Sequence, residues 1–194
     1  MPREEQQQRH KDWVLSVLQE YEERLRRYAH RLTHDEHAAA DLVQHTFMKL
    51  CDQPPDAIRG DVRAWLYAVC RNRAFDTMRK ERRMESFMET FSENGQAVLE
   101  SHEADPAVAC EESDAAEQLR QAVATLSETQ QEALDLWSEG FSYREISRIT
   151  ERAEGSIRVL VHRGIRRLRD HPTVRQLLEL DPARGLADAN HPTQ

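Results

Sequence analysis

The chain has 194 residues, 32% of them charged, with a net charge of −8 and a mean hydropathy of −0.81. That length admits one domain or two small ones, and an apolar share of 39% fills small helical cores rather than one large core. No run of about 18 apolar residues exists to insert in a membrane, Met1–Lys11 is too polar for a secretory signal, and Cys51, Cys70 and Cys110 form no CxxC, which argues against a disulfide framework or a zinc ribbon and for a reduced, cytoplasmic protein.

Six Gly, seven Pro and no β-branched runs predict an all-α fold. In chain order, Trp13, Leu15, Leu18, Tyr21, Leu25, Tyr28 and Leu32 recur at helical spacing until Thr33–Glu36 breaks the pattern and offers caps. A second amphipathic helix is predicted from about Ala38 to Cys51, with Leu42, Val43, Thr46, Phe47 and Leu50 on one face. Pro54 and Pro55 end it. After Gly60, Asp61 is placed to cap a third helix over 62–83, with Val62, Trp65, Leu66 and Val69 on one side and arginines on the rest.

The stretch from 85 to 113 carries Asn94-Gly95 and Asp105-Pro106 and reads as a linker. Helical pattern resumes near Ala115, where Leu119, Val123 and Leu126 share a face. Ser127 with Gln130, and Ser142 with Glu145, have capping-box spacing. Between these caps lie the core candidates Ala133, Leu134 and Trp137, with Gly140 as a stop. After a turn at 150–154, Ser156 is expected to open a basic helix through Asp170, which Pro172 ends; the rest is expected to be a short helical extension and a frayed tail. The predicted organisation is therefore two helical domains, 1–84 and 115–171, an acidic linker at 85–114 and a tail at 172–194.

Charge follows these divisions. Residues 59–83 and 144–169 each hold eight basic and three acidic residues, whereas 84–128 holds eleven acidic residues against Arg120 alone. Of the 27 basic residues, 24 are Arg, the side chain suited to bidentate phosphate and base-edge contacts. The competing reading of each block is a solvated helix face. In the second domain the order of helix, Gly break, short helix, tight turn and basic helix is that of a helix-turn-helix. Ile146 and Ile149 are placed to pack against Ile157 and Val161, turning Ser156, Arg158, His162 and Arg163 toward a major groove and Arg166, Arg167 and Arg169 toward phosphates. Leu160 and Val159 fit either the core or a thymine methyl.

Three segments carry a family resemblance. LSETQQEALDLWSEGFSYREISRITERAEGSIRVLVHRGIRRLRD resembles region four of bacterial sigma factors, ADLVQHTFMKL the polymerase-binding helix of region two, and VRAWLYAVCRNRAFDTMRKERR the promoter-melting helix that follows it. Their order and spacing resemble the extracytoplasmic-function (ECF) group of the sigma-70 family, over about residues 13–83 and 116–170. The resemblance implies a factor that directs core RNA polymerase to promoter DNA through the β′ clamp and β flap. It implies neither an enzyme nor a cofactor, and an anti-sigma protein as a further partner.

By the same resemblance, Asp41, Leu42, Gln44, Phe47 and Lys49 belong to the clamp-binding helix, with Leu42 and Phe47 equally open to a core role. His45 stands where the family usually has Glu. Arg63, Trp65, Arg71, Asn72, Arg73, Arg79 and Lys80 are the implied minus-ten set. Asn72 matches a base-pocket position, and 52–61 a specificity loop. Trp65 also fits a buried anchor, and Asp76 a partner for neighbouring arginines. Ser156, Arg158, His162, Arg163, Arg166 and Arg167 are the implied minus-thirty-five set. Here the sequence SIRVLVHRGI departs from the family's usual TVKSRLHRAR, with Val159, Leu160 and Ile165 in place of small or basic residues.

Two rival readings come from other classes. A free-standing helix-turn-helix regulator accounts for 140–170 but not for the region-two segments. A metal enzyme draws on His30, His34 and His37, spaced i, i+4 and i+7, but the break at Thr33–Glu36 interrupts their common face.

Overall fold

The computed structural model describes residues 3–58, 60–91 and 114–180, and among these the regular structure is entirely helical. The chain divides into an N-terminal and a C-terminal unit. The expected linker residues 92–113 and the tail beyond 180 lie outside the described residues, as does Cys110.

The N-terminal unit contains α1 (Arg3–Thr33), α2 (Glu36–Cys51), a 3₁₀ turn at Pro55–Ala57 and α3 (Val62–Phe91). The break between α1 and α2 is made by local hydrogen bonds. Thr33 Oγ1 donates back to the Ala29 carbonyl at 3.0 Å, His34 takes a left-handed φ of 54°, and Asp35 Oδ1 accepts the Ala38 N–H at 2.6 Å. Each of the three helices packs on the other two. Val14, Val17, Leu25, Tyr28 and Ala29 of α1 are buried, as are Leu42, Val43, Phe47 and Leu50 of α2 and Leu66, Tyr67, Cys70 and Ala74 of α3. The Tyr28 and Tyr67 rings meet with centroids 4.9 Å apart.

Leu15, expected inside, is 56% exposed, and Val14 and Val17 take the inward positions. The third helix does not stop at Arg83 but continues to Phe91. No Gly or Pro interrupts 84–91, and the good helix formers Met and Glu fill four of its eight positions, so acidity alone does not end it.

The C-terminal unit contains α4 (Asp114–Ala124), α5 (Glu128–Ser138), α6 (Tyr143–Thr150), α7 (Glu154–Asp170) and α8 (Pro172–Leu180). At α5 the capping box forms in full: the Ser127 hydroxyl accepts from the Gln130 N–H, and the Gln130 side chain accepts the Ser127 N–H at 3.1 Å. Gly140, at φ 87°, closes the helix as a Schellman motif. Its own N–H reaches Trp137 O at 2.9 Å, and Phe141 N–H reaches Leu136 O at 3.2 Å, with Phe141 and Leu136 both buried. Ser142 and Glu145 cap α6 reciprocally.

Three expectations change here. Ser156 lies inside α7, whose N-cap is Ala153 and whose first turn carries Glu154, an acid favourable to the helix dipole. Pro172 opens α8 rather than ending structure, as its missing N–H permits at a first helical position, and α8 packs on α4 and α7. Residues 172–180 are thus part of the unit and not of a tail. Leu119 is 46% exposed, and among the described side chains of α4 and α5 the buried ones are Ala122, Ala133 and Leu136, with Leu134 and Trp137 half-buried. Ile146, Ile149, Ile157 and Val161 are all buried.

Candidate nucleic-acid interface

Helix α2 separates a structural face from a free one. Leu42 and Phe47 are buried with Val43, Thr46 and Leu50, so the core role is the one these two side chains fill. Asp41, Gln44 and Lys49 are exposed. Met48, 62% exposed, joins Asp41 and Gln44 at i, i+3 and i+7 on one stripe. The sequence pattern missed Met48, although its spacing from Asp41 and Gln44 was the available signal. His45 beside it is half-buried, and its imidazole is held below its ordinary value by burial first, then by the charges of Arg73 and Lys49. The neutral form is therefore favoured.

The start of α3 is fixed by Asp61. Its carboxylate accepts the Arg63 N–H at 2.9 Å and pairs with the Arg63 guanidinium at 3.4 Å, while its carbonyl accepts the Trp65 N–H at 3.1 Å. Gly60, at φ 96°, makes the turn into it. Arg63 and Trp65 are both half-buried, so they anchor this end of the helix more than they project. Farther along, Asn72, Phe75, Asp76 and Arg79 are exposed at i, i+3, i+4 and i+7, one face of the helix. Arg73 and Lys80 are also exposed, and Asp76 holds Arg79 at 3.5 Å, the positioning role expected of it. Arg71 is the exception in the set: it is buried, with its guanidinium 4.4 Å from the centroid of the Phe75 ring. Phe75 was not foreseen. It is 38% exposed and sets an aromatic face beside Asn72, a stacking surface of the kind unpaired bases use.

On α7 all six expected residues, Ser156, Arg158, His162, Arg163, Arg166 and Arg167, are exposed. Arg158 is held by Glu154 at 3.2 Å and lies over the Tyr143 ring at 5.4 Å, so α6 orients the first arginine of α7. Arg166 pairs loosely with Asp170 at 3.8 Å. Arg163, Arg166 and Arg167 line an open cleft with Thr125, Asp170, His171 and Pro172. The inner face of α7 carries Ile157, Val161 and Gly164. At Gly164 a Cβ would stand 2.6 Å from Leu134 Cδ1, so glycine sets how closely α7 approaches α5. Leu160 is half-buried, whereas Val159 is 46% exposed.

His34 sits in the left-handed break, so His30 and His37 belong to different helices and share no face. Among the described residues no group of three or more His, Cys, Asp or Glu is placed to hold a metal ion. No helix among them is long and apolar enough to cross a membrane. Cys51 and Cys70 are free, and burial pushes the Cys70 thiol up to about 12.

Comparison with known proteins places a family match on each of the two units. The sigma-70 region 2 family matches residues 8–84, and the sigma-70 region 4 family matches residues 116–168. The chain is 28% identical over 156 residues to the ECF RNA polymerase sigma factor SigE of Mycolicibacterium smegmatis, across 80% of this chain and 60% of that protein. It thus spans less than two thirds of that relative's length. Among solved structures it is similar to the sigma factor RpoE of Bartonella quintana, crystallised in complex with the anti-sigma factor NepR. The TM-score is 0.61 at 29% identity, covering 88% of this chain and 99% of that one. With both regions matched in order on one chain, and an ECF factor as relative, the protein belongs to the sigma-70 family as a member of its ECF group.

Proposed function

We propose that this chain is the promoter-specificity factor of a bacterial RNA polymerase, acting in the cytoplasm: it binds core enzyme, directs it to particular promoters and helps melt the minus-ten element. The observation that carries the reading is the segregation of α2 and α3. One exposes a short polar stripe, Asp41 and Gln44, over a packed inner face, and the other exposes Asn72 and Phe75 amid cations. In this reading residues 1–84 bind the β′ clamp and the minus-ten element, 115–171 contact the β flap and the minus-thirty-five element, and 85–114 join them.

Melting needs no cofactor here. Unpairing a base costs a few kcal/mol, and a protein offsets that cost by binding the extruded base and the phosphates beside it. Asn72 supplies donors and an acceptor to a base edge, Phe75 a ring to stack on, and Arg73, Arg79 and Lys80 charge for the backbone. The solved relative's partner suggests a second kind of ligand, an anti-sigma protein.

Two variants separate docking from melting. Asp41→Ala with Gln44→Ala weakens capture by core polymerase without unfolding the chain. Asn72→Ala leaves capture intact but lowers open-complex formation on closed duplex promoters, and a promoter mismatched over its minus-ten region recovers part of the loss. Unchanged capture by the double variant, or full open-complex formation by Asn72→Ala on closed duplex, overturns the reading. Tight promoter binding by the chain without polymerase would favour a free-standing regulator instead.

A further inference from the structure

The buried stripe of α7 runs through Ile157, Val161 and Gly164. At 3.6 residues per turn, the position directly opposite that stripe in the first half of the helix is Val159. It is 46% exposed, and every expected contact residue around it is polar: Ser156 and His162 three residues either side, Arg163 four residues on, and Arg166 a further turn along the same face. Isolated exposed apolar residues are common and by themselves mean little. This one stands at the centre of the surface that the arginines would hold against DNA. Folding makes little use of it there, since a β-branched residue is a poorer helix former than Arg158 and Leu160 on either side of it.

The groove offers a matching group. In the major groove only thymine presents a methyl, and apolar side chains recognise it by contact. Gly155 and Ser156, one turn before Val159, leave it unshadowed; a Cβ added at Gly155 would meet nothing within 4 Å. Arg163, Arg166 and Arg167, farther along, supply the charge that seats a helix against phosphates.

Resting on the reading of this unit as the upstream promoter reader, we propose that Val159 is a specificity-determining residue that packs on the C5-methyl of a thymine in the minus-thirty-five element. The partner is duplex DNA, and the preference is for thymine over every base, and over uracil, at a single position.

The test uses holoenzyme assembled from the full chain and core polymerase. Selection from promoters randomised upstream yields the preferred element, and each dT in it is then replaced singly by dU. One such replacement is expected to weaken wild-type binding about fourfold, the value of one buried methyl-sized group. Val159→Ala weakens binding to the dT promoter by a similar factor and makes that replacement silent, as a coupled pair requires. Replacements that affect both proteins equally, or neither, overturn the proposal while leaving upstream recognition standing. Failure of the selection to enrich any upstream element removes the underlying reading, and Val159's role with it.

Discussion

At position 45 an imidazole occupies a site that feels two cations, Lys49 one turn along α2 and Arg73 from α3. Both lower its proton affinity, in addition to burial. The folded state therefore binds this proton less tightly than the unfolded chain does. Stability is full above the ordinary imidazole value of 6.5, falls as pH drops through it toward the lower folded value, and levels off below that. The His45 resonance should titrate with a midpoint below 6.5, and His45→Gln should remove part of the acid destabilisation between pH 7 and 5. His45→Glu places a carboxylate four residues before Lys49 and should raise the unfolding free energy by about 0.2–0.5 kcal/mol, read as a higher urea midpoint. Equal acid sensitivity of the wild type and His45→Gln would show that the imidazole is indifferent to its neighbours. Residue by residue, local caps were legible in the sequence, whereas the choice of buried stripe depends on packing. Trp13, Val14, Leu15, Val17 and Leu18 crowd five apolar side chains into six positions, so periodicity cannot choose among adjacent stripes; contact with α2 and α3 buries Val14 and Val17 and leaves Leu15 out. Met48 and Phe75 fall outside the apolar faces read for α2 and α3, and an isolated exposed apolar residue carries no functional signal of its own.

Elements were legible where their ends are written in a few adjacent residues. The Asp35, Asp61, Ser127 and Ser142 caps and the Gly140 stop all formed, because each depends on hydrogen bonds spanning no more than five residues. Helix length beyond such signals was not legible: α3 runs on to Phe91 because nothing stops it, and α8 forms where its apolar face meets α4 and α7. The approach of α7 to α5 is likewise a property of two elements rather than one. Gly164→Ala gains about 0.5–1 kcal/mol in helix propensity, but crowding at Leu134 costs about 1–3 kcal/mol, so the crowding wins. The variant should lower the unfolding midpoint and weaken promoter binding by shifting the basic helix. Leu134→Ala should cost less in the Gly164→Ala background than in the wild type, because it removes the side chain that collides. Additive costs in that double-mutant cycle would disprove the steric account.

Across the whole chain the net charge of −8 conceals two basic blocks of +5 and an intervening stretch, 84–128, of −10. The order of the two sigma regions was readable because each carries its motif locally, and this charge pattern was readable because it is a property of composition. A chain whose basic helices are to engage phosphates needs the joining segment to stay off them, and like charge does so: carboxylates near a duplex are repelled and release no counterions. Glu117 of α4 shows one such carboxylate in use within its own helix, paired with Arg120 and accepting from Gln121. Replacing Glu111, Glu112, Asp114 and Glu117 together by their amides should therefore raise non-specific duplex binding by holoenzyme at low salt. The difference should close as ionic strength rises and the Debye length shrinks to about 8 Å at 0.15 M. Initiation at a cognate promoter should become more sensitive to competitor DNA in the same salt range, while loss of the Glu117 helix pair lowers thermal stability only slightly. The measurement is initiation rate against salt, with and without competitor. If the two proteins trace the same curves, the acidic stretch contributes solubility alone, because a charge that steers the joining segment has to act most strongly where screening is weakest.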